Sequence, residues 1–133
     1  MNMRAIFAAV SALALGATIG ATGATAQAQQ SQRVKADVAV TIRAEGTDLS
    51  GVVKTSNPSV CALDRTVRVW KQIGTRGGGD DIKMFSDTVD KSGDKYVWST
   101  GNTGIQGFFY AKIGATPDCR ADTSRTVHAV RSS

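Results

Sequence analysis

From Val34 onward, apolar and polar positions alternate with a period of two. Val34, Ala36, Val38, Val40 and Ile42 interleave with Lys35, Asp37, Ala39, Thr41 and Arg43. A period of two puts one face of an extended segment in a core and the other in water, so the pattern predicts a half-buried strand. Six further segments read the same way: residues 49–55, 65–71, 82–86 (running toward 88–89), 96–99, 108–113 and 125–130. The gaps carry turn chemistry, as in Ser56-Asn57-Pro58-Ser59, Gly77-Gly78-Gly79, Ser92-Gly93-Asp94 and Thr116-Pro117-Asp118. Seven short strands with a turn signal every dozen residues or so predict an all-β, seven-stranded Greek-key β-sandwich over residues 34–131. No segment in that stretch carries a helical period long enough to compete.

The alternation also sorts the aromatics. Phe109, Ala111 and Ile113 share one face of their strand and are expected in the core, as are Tyr96 and Trp98. Trp70, Phe108 and Tyr110 then fall on the opposite faces. If the third and sixth strands are neighbours, these three form an outward apolar patch flanked by Arg68, Lys71 and Lys112. Such a patch suits the face of a sugar or a partner protein.

Ahead of the strands, residues 1–28 have the layout of a cleavable signal helix. Arg4 supplies a positive start, an apolar run follows from Ala5 to about Ile19, and small residues offer cleavage after Ala26 or Ala28. The apolar core is shorter than the ~20 residues a membrane span needs, so no span is expected once the signal is removed. Residues 29–33 are a polar lead-in. The address is secreted: the extracellular space or the cell envelope.

Cys61 and Cys119 are the only cysteines. Two cysteines in an exported chain imply one disulfide with one connectivity. A zinc site would want four ligands and a thiol nucleophile a histidine base, and His128 is the only histidine. The bridge would close a loop of nearly sixty residues, worth ~4 kcal/mol on the chain-entropy model. It would join the loop between the second and third strands to the loop between the sixth and seventh.

Charge narrows the partners. The chain has 16 Lys and Arg against 11 Asp and Glu, a net of +5, which loss of Arg4 lowers by one. The excess favours anionic surfaces or polymers, weakly and subject to salt screening. Aromatics among basic groups also suit single-stranded nucleic acid, but the exported address argues against it.

The candidate chemistries do not assemble into a catalytic set. Arg76-Gly77-Gly78-Gly79-Asp80-Asp81 lacks the strand, helix and Lys-Ser/Thr of a phosphate loop and reads as a hairpin connection. Asp90, Ser92 and Asp94 have a calcium-loop offset, but the glycine comes too early and Gly101 stands where the closing acid belongs. His128, flanked by Val127 and Ala129, is expected on the outer face, with no Gly-x-Ser-x-Gly elbow elsewhere. No enzyme activity, metal or cofactor is expected.

The residues also carry a resemblance. Gly51-Val52-Val53, Cys61, Arg65-x-Val67-x-Val69, then Asp87-Thr88 with Gly93 and Tyr96, then Gly107-x-Phe109-Tyr110-Ala111-Lys112, Cys119 and Ser124-x-Thr126-Val127 resemble small exported bacterial and archaeal sandwich domains. These are of the carboxypeptidase-regulatory-like or transthyretin-like (Ig-like) type. The resemblance implies the fold and a non-enzymatic role and carries over no catalytic residue. Together these readings predict a secreted, non-enzymatic, disulfide-stapled binding or structural module, bacterial and at the cell surface. Its partners would be a cell-wall polymer, a glycan or another secreted protein. The alternative is a small secreted inhibitor or effector acting through the Gly-rich loop 76–81.

Overall fold

A computed structural model describes residues 34–132. The expected signal and lead-in, residues 1–33, lie outside the described residues. The described chain runs β1 (Val38–Val40), β2 (Arg43–Glu45), β3 (Asp48–Thr55), α1 (Pro58–Cys61), β4 (Thr66–Gln72), β5 (Ile82–Thr88), β6 (Asp90–Ser92), β7 (Lys95–Asn102), β8 (Gly107–Ile113), β9 (Asp122–Thr123) and β10 (Val127–Ala129). The strands form two antiparallel sheets. One has the order β1-β3-β7-β6, with β2 also on β3; the other has β9-β8-β4-β5, with β10 also on β8.

The inward positions are those the alternation selects. Val67 and Val69 of β4, Phe109, Ala111 and Ile113 of β8, and Leu49 and Trp98 from the other sheet are all essentially solvent-free. Burying an aliphatic or aromatic side chain this fully is worth about 1.5–3 kcal/mol. Tyr96 is half-buried at the margin of this core. The chain changes sheets at Val89, which is fully buried between β5 and β6; its N–H donates to the Arg65 carbonyl and its carbonyl accepts from the Asp64 N–H.

One edge strand of each sheet is interrupted: β1 is followed by β2, most of which lies beyond the expected first strand, and β9 precedes β10, which alone falls in the expected seventh strand. The reason is the same in both. At Thr41, between β1 and β2, the side-chain hydroxyl accepts from the Val52 N–H at 2.9 Å. At Ser124, between β9 and β10, the hydroxyl accepts from the buried Ala111 N–H at 2.8 Å. A hydroxyl thus replaces a ladder carbonyl at each break, so no inner-strand amide is orphaned. Gly51 makes the first break feasible: a Cβ there would sit 1.9 Å from the Thr41 carbonyl oxygen. The two broken strands lie along one flank, where the Asp122 carboxylate accepts from the Val40 N–H at 2.7 Å. Two short elements differ from the sequence expectation. Asp90–Ser92, read as part of a turn, forms a hairpin arm against β7, and Pro58–Cys61 makes one helical turn begun by proline.

Cys61 and Cys119 are bonded, with an S–S distance of 2.00 Å, and both are fully buried. Cys61 ends α1, between β3 and β4, and Cys119 lies between β8 and β9, so the bridge joins the two loops the strand count named. Ala36 reinforces this end by pairing in parallel with Cys119: its N–H donates to the Asp118 carbonyl and its own carbonyl accepts from Arg120. Arg65 adds a guanidinium hydrogen bond to the Gly114 carbonyl. Among the described residues, no helix is long and apolar enough to cross a membrane.

Candidate functional site

The third and sixth expected strands are neighbours. In the β4–β8 register Arg68 stands opposite Lys112, Trp70 opposite Tyr110, and Gln72 opposite Phe108. Directly opposite residues share a sheet face. Because Val67 and Val69 point into the core, Arg68, Trp70, Phe108, Tyr110 and Lys112 lie together on the outer face. Lys71 does not join them. It is opposite the buried Phe109, and its stem packs along Gly107, 2.9 Å from where a Cβ would stand.

The five residues do not make one continuous patch, because the Gly-rich loop folds back across the sheet. Tyr110, expected outward and open, is 96% buried beneath it, with only 4% exposed. Its hydroxyl donates to Asp81 Oδ2 at 2.6 Å. The same carboxylate accepts from the Gly77 N–H and the Ile73 N–H, both at 2.9 Å. The Tyr110 hydroxyl and these two amides hold the Asp81 carboxyl below the usual carboxylate range. Burial, with the neighbouring carboxylate second, pushes the Tyr110 phenol up to about 12. The Arg76 guanidinium lies 5.5 Å over the Tyr110 ring and donates to the Ser124 carbonyl. The loop read as a hairpin tip is therefore fastened at its base and strapped across the middle of the face.

The strap divides the face into two parts. On one side, Phe108 is half exposed and stacks on exposed His128, with ring centroids 4.3 Å apart and planes 10° from parallel. His128 faces outward as expected and sits directly across from Phe108 in the β8–β10 register. On the other side, exposed Lys112 holds its Nζ 5.2 Å over the Trp70 ring. The Trp70 ring is half-buried, and its indole N–H is fully buried and makes no hydrogen bond. Arg68, Trp70, Lys112 and Thr123 border an open hollow of about 230 Å³ at the disulfide end of the face.

The nearby acids are turned into backbone amides rather than toward these cations. Asp122 takes the Val40 N–H, Asp87 takes the Ser99 N–H at 2.8 Å, and Asp81 is occupied as above. The ion pairs found among the described residues are Arg43–Glu45 and Arg120–Asp37. Arg68 and Lys112 thus stand beside an aromatic ring without a direct ion pair among the described residues, although Lys112 interacts electrostatically with Asp81 and Asp122 borders the same hollow.

The alternation found the shared face but not the strap. Arg76 and Asp81 stood out in the sequence only as flanks of a glycine run. Their roles depend on contacts with Tyr110 and Ser124, far along the chain. The Phe108–His128 pair was open to discovery, since both residues were assigned outward faces on strands that turn out to be neighbours. Among the described residues, no group of three or more His, Cys, Asp or Glu side chains is arranged to hold a metal ion. Asp90 and Ser92 are spaced by their pairing with Val97 and Lys95 in a hairpin. No protein-family model matches this chain, and no curated protein matches it.

Proposed function

We propose that this chain is a secreted, non-enzymatic binding module of the cell envelope or extracellular space, and that it binds through the outer face of the β4–β8 sheet. The observation that carries this reading is that one outer sheet face presents, on either side of the strap, two cations without a direct ion pair beside Trp70 and an exposed Phe108–His128 stack. Arg68 and Lys112 make no direct ion pair among the described residues, with Asp81 and Asp122 near Lys112 but hydrogen-bonded to Tyr110 and to backbone amides, and the Phe108–His128 stack stands in solvent. Flat rings with charges beside them suit adhesion to a polymer or a partner surface better than enclosure of a small molecule.

The exported address is supported by the buried disulfide, a bond that persists in oxidising compartments. The strand order, with the interrupted strands counted as one each, supports a Greek-key sandwich of the Ig-like or transthyretin-like kind that the sequence resembles. The alternative role, inhibition through loop 76–81, is less supported, because both charged anchors of that loop, Arg76 and Asp81, are engaged against the sheet.

The test is a pull-down with the immobilised mature protein against cell-wall material, anionic glycans and secreted proteins, followed by affinity measurement on the ligand retained. Trp70→Ala and Phe108→Ala are each expected to weaken binding at least tenfold with the fold intact. Retention unchanged in both variants would sink the reading. Inhibition of a protease that survives both variants but disappears when Gly77, Gly78 and Gly79 are trimmed would favour the loop instead.

A further inference from the structure

We propose that Arg68 and Lys112 form a clamp for the acidic groups of an anionic polysaccharide chain. The proposal rests on the binding-face reading above and names its ligand class. The two cations stand directly across from each other on adjacent strands. Like charges in that relation repel, and sheets ordinarily avoid it or interpose an acid. Here no ion pair or side-chain hydrogen bond of either residue is found among the described residues. Lys112 is partly accommodated by the Trp70 ring beneath it; Arg68 has no such support and is exposed. Asp122 borders the same hollow, yet its carboxylate is held 2.7 Å from the Val40 N–H on the neighbouring sheet. Asp122 and, through Lys112, Asp81 offset part of this charge, but neither forms an ion pair with Arg68, whose planar fork is free to take an incoming carboxylate or sulfate.

The hollow sets the size of what enters. At about 230 Å³ it is smaller than typical small-molecule pockets of roughly 300–1,000 Å³. It therefore takes one acidic group and the ring that bears it, with the remainder of the ligand lying along the sheet. The Phe108–His128 stack offers the next surface. The row holding Phe108 and Gln72 is four residues from the row holding Arg68 and Lys112, about 13 Å at the usual strand rise. A ligand spanning both rows is a chain, and its acidic groups need not recur at every unit. A nucleic-acid strand would present a phosphate at each step, but the middle of the face is taken by Arg76, whose guanidinium is committed to the Ser124 carbonyl and the Tyr110 ring.

The experiment is isothermal titration of the mature protein with sodium polygalacturonate and with the same polymer fully methyl-esterified, so that backbone is constant and charge is removed. Dextran sulfate with plain dextran forms a second pair, and a mixed-sequence single-stranded oligonucleotide is the competing class. The clamp predicts at least tenfold tighter binding to the acidic member of a pair. It also predicts at least tenfold loss in Arg68→Gln/Lys112→Gln at unchanged melting temperature, and a flatter salt dependence in that variant. Phe108→Ala should weaken the acidic and neutral members by the same factor. Equal binding of both members, or full retention by the double variant, overturns the clamp; if Trp70→Ala and Phe108→Ala still lower affinity in that case, the binding-face reading survives. Binding to the oligonucleotide alone, or to none of these polymers, overturns the polysaccharide assignment.

Discussion

The two ends of the sandwich secure their loops in different ways. At one end, the loop carrying α1 and the loop between β8 and β9 are joined by a buried disulfide, with Arg65 and Ala36 adding backbone contacts. At the other end, the loop between β4 and β5 is held by a single carboxylate that gathers a phenol and two amides, with Arg76 laid across the top. The covalent tie acts largely by restricting the unfolded chain, so it is indifferent to pH and salt. The carboxylate tie exists only in the folded state, and only while Asp81 is ionised and Tyr110 is not. The same topology thus has one end closed by connectivity and one held by contacts of which the carboxylate's share depends on protonation state.

Reduction of the disulfide, or Cys61→Ala/Cys119→Ala, is expected to cost the most, ~4 kcal/mol, in urea melts. A loss under about 1 kcal/mol would remove the distinction between the ends, since the backbone contacts would then suffice by themselves. Gly51→Ala probes the body between them: its Cβ would sit 1.9 Å from the Thr41 carbonyl oxygen and 2.7 Å from the Trp98 indole nitrogen. Overpacking of this kind costs about 1–3 kcal/mol or more, and thermal melting would register it. Ser124→Ala leaves the buried Ala111 N–H without its 2.8 Å acceptor, for which about 1–3 kcal/mol is expected. A neutral result would show that the neighbouring backbone can reclose the ladder.

Asp81→Ala is expected to act locally, with little change in global melting. Hydrogen exchange at the Ile73 and Gly77 amides should accelerate, and the Tyr110 phenol should ionise at lower pH, which absorbance titration follows. The pH limits follow from the directions of the two shifts. Asp81 is held low in the folded state, so its contribution is present above the ordinary carboxylate value of about 4 and is lost as pH falls through the depressed one. Tyr110 is raised to about 12, so the phenol's contribution is complete below the ordinary value of about 10 and is lost as pH rises through the folded one. Exchange at the disulfide end should stay flat over the same range. Equal acceleration at both ends would show that they open together.

The parts of the fold that were legible depend on nearest-neighbour pattern. The alternation through residues 108–113 assigns the sides of Phe108 to Ile113 in β8, and the cysteines fall in the loops the strand count predicts. What escaped depends on side chains doing backbone work across the fold. Thr41 looks like an ordinary strand residue and Ser124 falls just before the expected seventh strand, and only the facing Val52 and Ala111 amides reveal that each hydroxyl sits at a break between two short strands. Asp90–Ser92 is too short and too polar to show a period. Tyr110 has the pattern of an exposed residue, and its burial is set by a loop anchored through Asp81, twenty-nine residues away along the chain. For the same reason the candidate face was legible in membership, apart from Lys71, but not in its division by Arg76.

The disulfide encloses a ring of chain that includes β4 to β8 and the whole Gly-rich loop, since its cysteines are 58 positions apart. A protease that cuts anywhere from Gly74 to Asp80 therefore opens the ring without releasing a fragment. β4 and β5 lose their direct connection but remain on one covalently continuous molecule. The nicked product should migrate as two pieces only after reduction. This exposed loop can thus be cleaved without dispersing the sheet on which it lies.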